Sequence, residues 1–147
     1  MKTTQRKTPT KKMLSGMAIM LIVLTMVSCS KKVSFMTSSV VPAARGYVRV
    51  KNDDNKNYAS EIHLSDLAEV KRLQPAKNTY VIWMETDKQM TKNIGQINSS
   101  VNSITKKLKA SFETVSSFKP IKIFITAEDE ASVQYPGTQV VLTTDRF

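Results

Sequence analysis

From residue 46 onward the chain is written in short runs of alternating apolar and polar residues, and this pattern most constrains its fold. Residues 46–51 place Val48 and Val50 on one side. Asn52, Asp53, Asp54, Asn55, Lys56 and Asn57 then form a dense turn cluster. Residues 58–64 alternate again, with Tyr58, Ile62 and Leu64 on one face. Two such runs around a turn read as a hairpin. Residues 79–84 are apolar without interruption, which predicts a central strand buried on both faces. Ile82 and Trp83 are neighbours on that strand, so they point to opposite faces. Trp83 is expected inward with Val81, as the core anchor between two sheets, joined by Phe112, Ile123 and Ile125. Weaker or later runs cover 93–97, 104–115, 120–126 and 138–144. In 104–115 the set Ile104, Lys106, Leu108, Ala110, Phe112 and Thr114 is the expected inner face, although this stretch can also be scored as a helix. Seven short strands at regular spacing, without a long amphipathic helix, predict an all-β antiparallel sandwich or barrel.

The first 39 residues follow other rules. Five basic and no acidic residues fall within 1–12, and residues 13–28 carry no charge. A basic segment, an apolar segment and small residues before a cut are the parts of a secretory signal. The apolar run has 16 residues, whereas a spanning helix needs roughly 20. Lys31 and Lys32 prevent its extension. Ser28 directly precedes Cys29, the only cysteine of the chain, and residues 26–29 resemble the lipobox of bacterial lipoproteins. That resemblance implies removal of 1–28 and lipidation of Cys29 by a diacylglycerol and a further acyl chain. Two chains suffice for stable anchoring where one does not. An uncleaved membrane anchor and a soluble secreted form are the alternatives. Residues 30–39 are short, polar and rich in Ser and Thr, and read as a tether. The expected domains are therefore 1–28 signal peptide, 29–39 lipidated Cys29 and tether, and 40–147 a single β domain.

Charge narrows the partners. The chain has 22 basic and 12 acidic residues; removing the five basic residues of the signal leaves 17 against 12, a net of +5. The positives are dispersed, whereas nucleic-acid binding gathers them on one face. No nucleic-acid partner is expected; a mild positive charge suits an anionic bilayer surface.

Residues able to carry chemistry are few. A lone cysteine excludes an internal disulfide and cysteine-based metal clusters. His63, the only histidine, is expected as an exposed strand residue on the face opposite Ile62 and Leu64. A Ser–His–Asp arrangement would need a positioned serine and an orienting carboxylate, and 29–147 contains no Gly-x-Ser-x-Gly elbow. Asp53, Asn55 and Asn57 match the first ligands of a calcium loop, but Tyr58 replaces the required glycine and Leu64 the bidentate glutamate, so a hairpin turn is expected. Glu128, Asp129 and Glu130 read as a solvated loop at the end of the sandwich. Met36, Met84 and Met90 are too few for a copper cluster. No catalytic, cofactor or metal site is expected.

The run Thr79, Tyr80, Val81, Ile82, Trp83, Met84 resembles the Tyr-x-x-Trp strand of the extracytoplasmic domain of anti-sigma-K factors. In that family a Gly-led strand, a strand ending in Thr-x-Glu and a Pro-containing segment follow. Here stand Ile94-Gly95-Gln96-Ile97, then Phe124-Ile125-Thr126-Ala127-Glu128, then Tyr135-Pro136-Gly137. The likeness covers about residues 60–147 and implies an immunoglobulin-like β-sandwich. Those factors also carry an intracellular sigma-binding domain, often zinc-liganded. Twelve residues before the apolar run leave no room for it, and one histidine and one cysteine cannot build its zinc site. The expectation is a shared fold without sigma inhibition.

The functional expectation is a lipid-anchored, non-catalytic interaction or structural module of the cell envelope, facing the periplasm or cell exterior, with an envelope protein as partner. The strand at 138–144 is the candidate edge for that contact. The alternatives are a sensory or regulatory domain related to anti-sigma signalling, and a small ligand-binding protein or hydrolase with a site built from loops.

Overall fold

The computed structural model describes residues 30–97 and 108–147. The signal segment, Cys29 and the beginning of the expected run at 104–115 lie outside them. Among the described residues eight strands are present: β1 Lys31–Ser34, β2 Arg45–Asn52, β3 Tyr58–Leu67, β4 Thr79–Thr86, β5 Thr91–Ile97, β6 Leu108–Ser116, β7 Pro120–Glu128 and β8 Val140–Thr143. A single 3₁₀ turn at Val70–Arg72 lies between β3 and β4. The strands form two four-stranded sheets, ordered β1-β2-β3-β6 and β5-β4-β7-β8, with every pair antiparallel. The chain changes sheet between β3 and β4, β5 and β6, and β6 and β7. Strands β2-β3-β6 thus take the places of A-B-E, and β5-β4-β7-β8 those of C′-C-F-G, in an immunoglobulin-like sandwich.

All seven expected runs are strands, and the described part of 104–115 is strand, not helix. The eighth strand is a correction. Lys31–Ser34 was expected within a tether, but it pairs with β2, from Lys31 opposite Val50 to Ser34 opposite Tyr47. Phe35 continues by bridging Thr144, and the Met36 N–H donates to the Thr143 carbonyl at 2.8 Å. The first residues of the fold thereby stitch one sheet to the other. Val33 and Phe35 are half-buried, and Phe35 packs against the core.

The slab between the sheets holds Val48, Ile62 and Leu64 from the first sheet and Tyr80, Ile82, Met84, Ile123 and Ile125 from the second. Phe112 packs against it from β6, as expected. Its ring lies against Gly95, where an added Cβ would come within 2.5 Å of the ring. Gly95 also has φ +148°, opposite an irregularity at Ile82 and Trp83. A glycine is needed there both for the backbone and for the ring.

Trp83 overturns the expected facing. Strand parity sends Tyr80, Ile82 and Met84 into the slab, so Val81 and Trp83 point to the other side of the second sheet. They form a separate cluster with Phe124, packed by Val133 from the β7–β8 connection. Trp83 is nevertheless fully buried. The indole N–H explains the preference, because a buried Trp needs an acceptor. The Thr126 hydroxyl supplies one at 2.8 Å, whereas the slab around Ile82 is apolar. Tyr80 solves the same problem at the rim of the slab, where its hydroxyl donates to the Ala68 carbonyl at 2.9 Å. Burial pushes the Tyr80 phenol up to about 12.

Candidate functional site

One end of the sandwich carries a cleft of about 620 Å³. Four parts of the chain build it. Lys31 reaches it from the start of β1, held by pairing opposite Val50. The β2–β3 turn contributes Asp53 and Asp54, beyond the closing pair Asn52 and Tyr58. Lys119 and Pro120 come from the β6–β7 turn. Phe147 is brought back by its backbone N–H, which donates to the Ile121 carbonyl at 2.8 Å. Val50, Tyr58, Pro120 and Phe147 give the cleft apolar surface. The Lys31 ammonium stands 5.7 Å from the centre of the Phe147 ring.

The acidic side is preorganised by its turn. One oxygen of the Asp53 carboxylate accepts the backbone N–H groups of Asn55 at 2.9 Å and Asn57 at 2.7 Å. The other accepts the Asn57 side-chain amide at 3.0 Å. These donors, led by the Asn57 side chain, hold the Asp53 carboxyl below its usual range, so it stays anionic through neutral and mildly acidic pH. Lys56 takes the left-handed position of the turn, with φ 63°. The calcium-like spacing of Asp53, Asn55 and Asn57 is thus that of a side-chain-capped hairpin turn. Among the described residues no group of three His, Cys, Asp or Glu is placed to hold a metal ion.

His63 lies on the outer face of the first sheet, opposite in facing to Ile62 and Leu64, and is half-buried. Its ring stacks on Tyr47, with centroids 4.8 Å apart and 29° between planes. Lys32 and Arg49 approach the Tyr47 ring at 4.0 and 5.3 Å. Ser111 is the β6 partner of His63. The surroundings of His63 are thus those of a packed surface ring.

The acidic run after β7 divides in a way its sequence does not show. Glu128 is the last residue of β7 and is buried, not solvated. It accepts the Thr126 hydroxyl at 2.6 Å and the Gly137 N–H at 2.7 Å. Asp129 pairs with Lys77 at 2.7 Å, and Glu130 is exposed. The expected edge strand does lie at the end of its sheet. Phe35 and Met36 engage its far side at Thr143 and Thr144.

Lys31, Lys119 and Phe147 had no place among the sequence candidates. The one available sign for Lys31 was the i, i+2 spacing of Val33 and Phe35, which marks 31–35 as strand. The cleft presents cations, carboxylates and aromatic surface together, and its lining contains no histidine or cysteine. Such a set can bind and orient a ligand that carries both signs of charge. No protein-family model, curated protein or solved structure matches this chain.

Proposed function

We propose that this chain is a lipid-anchored, non-catalytic binding module of the cell envelope that works in the plane of the membrane. The observation that carries this reading is the position of β1. Its first residue, Lys31, is two positions beyond Cys29. Two residues span at most about 7 Å. A lipid on Cys29, or an apolar run retained before it, therefore holds the β1 end of the sandwich against the headgroups. The cleft opens at that same end. Basic residues there lie within a Debye length of the surface, about 8–10 Å, where each adds about 1 kcal/mol of attraction to an anionic leaflet. A protein partner then meets the domain at the membrane surface, through its loops and outer faces.

Intact-mass analysis of protein extracted from membranes tests the anchor. The expected species begins at Cys29 and carries acyl groups, and Cys29→Ser yields none of it. A chain found with an unprocessed Met1 and no lipid overturns the anchoring chemistry. Turnover of ester, peptide or glycoside substrates by the purified protein, abolished by one substitution in the cleft, overturns the non-catalytic reading.

A further inference from the structure

We infer that the cleft at the β1 end binds the ammonium–phosphate headgroup of a zwitterionic membrane lipid, of the phosphoethanolamine type. This deepens the membrane-apposed reading above and rests on it. Three observations point to that ligand. First, the cleft carries both signs of charge from separate elements, Lys31 and Lys119 against Asp53 and Asp54. Among the described residues, Lys31, Lys119 and Asp54 take part in no ion pair, so their charges are available. Second, Tyr58 supplies aromatic surface in the lining, which attracts an ammonium group, while the Phe147 ring already faces the Lys31 ammonium. Third, Lys31 at the edge of the cleft has its backbone within about 7 Å of the proposed anchoring position, where headgroups are the most concentrated solute.

The chemistry then selects among headgroups. A phosphate draws Lys31 and Lys119 through charge-assisted hydrogen bonds. A primary ammonium donates to Asp54, while Asp53 is largely saturated by its own turn. A phosphoglycerol group offers no cation to the two carboxylates and meets their repulsion. A phosphocholine group keeps the charge but has no N–H to donate. Free phosphate satisfies the lysines alone.

Binding to the full chain in neutral-detergent micelles tests this, with amide chemical shifts as the readout. The probes are glycerophosphoethanolamine, glycerophosphocholine, glycerophosphoglycerol and inorganic phosphate. The ethanolamine probe should bind most tightly, by about tenfold over the glycerol probe, as one charge-assisted hydrogen bond allows. Its shifts should centre on Lys31, Asp54, Tyr58 and Lys119. Asp54→Asn should bring the ethanolamine probe down to the glycerol level, and Lys119→Gln should weaken all four probes. Asp54 and Lys119 are exposed, so unchanged shifts elsewhere will show that both variants fold. Equal binding of all probes, inorganic phosphate matching the ethanolamine probe, an Asp54→Asn protein that still discriminates, or no localised shifts would each overturn the assignment. Soluble probes in neutral micelles read the cleft whatever Cys29 carries, so failure here is distinct from failure of the anchor.

Discussion

Each sheet turns a directly opposed aromatic pair outward, and the two pairs meet opposite fates. On the second sheet Trp83 faces Phe124 in register across β4 and β7, stacked at 6.3 Å and 14°. On the first sheet Tyr47 faces His63 across β2 and β3, stacked at 4.8 Å and 29°. The β7–β8 connection crosses the first of these pairs. It lays Val133 on the cluster and is tied down by Asn93, whose amide donates to the Ala131 and Val133 carbonyls at 2.9 and 3.0 Å. Beneath it runs a chain of hydrogen bonds from the Trp83 indole to Thr126, and from the Thr126 hydroxyl to Glu128, which also accepts Gly137 N–H. Nothing comparable crosses Tyr47 and His63 among the described residues, and their neighbours are Lys32 and Arg49. The pairing is similar; the crossing segment decides whether it becomes a second core or a surface.

That contrast is open to attack, most forcefully at the tryptophan. Trp83→Ala should destabilise the fold by about 3–5 kcal/mol, while Tyr47→Ala should cost about 1 kcal/mol or less. Denaturant unfolding of both variants measures the difference, and equal losses would erase the distinction. Next in size is Glu128→Ala, which strands the Thr126 hydroxyl and the Gly137 N–H. About 1–3 kcal/mol is expected, together with faster hydrogen exchange at Val133 and Gly137. If exchange in the connection stays as slow as in the unaltered protein, Glu128 is not what holds the cover down.

Smaller effects belong to pH. The Tyr80 phenol has its folded value raised to about 12 by burial, against an ordinary value near 10. The folded state holds that proton more tightly, so the contribution is complete below pH 10 and is lost as pH rises toward 12. Thermal unfolding should fall across that window, and Tyr80→Phe should flatten the fall. The least effect is on the acid side of the open face. Glu61 is held below its usual range, chiefly by the hydrogen bond from Lys51 at 3.0 Å. A depressed carboxylate stabilises above its unfolded value and ceases to do so as pH drops through the folded one. Lys51→Gln should therefore shift the acid unfolding limb slightly upward in pH, with a change that added salt removes. A shift that survives high salt would place Glu61 in a drier setting than the open face provides.

Much of this architecture can be read in the residues, and the failures have physical causes. Apolar patterning locates every strand from β2 to β8, by an uninterrupted apolar run in β4 and by runs with one face on the slab in the others. β3 outruns its pattern by reaching Leu67 past an irregular register, where Asp66 takes φ 57°. β1 escaped because Lys31, Lys32 and Ser34 give it a linker's composition, and Val33 and Phe35 alone carry the period. The facing of Trp83 was not legible at all. A run apolar at every position has no parity to read, and the segment that covers Trp83 is a loop whose residues announce only turns. The cleft likewise joins parts that are distant in sequence, so Lys31, Asp54, Lys119 and Phe147 share no local pattern.

The short β1 has a mechanical meaning for a domain fixed at its front end. With the proposed anchor on Cys29, a pull toward the membrane runs along β1 from Lys31 and loads its bonds to β2 together, in shear. The strand is already extended, so it holds no slack to release. Behind it the Phe35–Thr144 bridge and the Met36 hydrogen bond pass the load to the second sheet. On that anchor the segment is a short, stiff mooring whose load both sheets share.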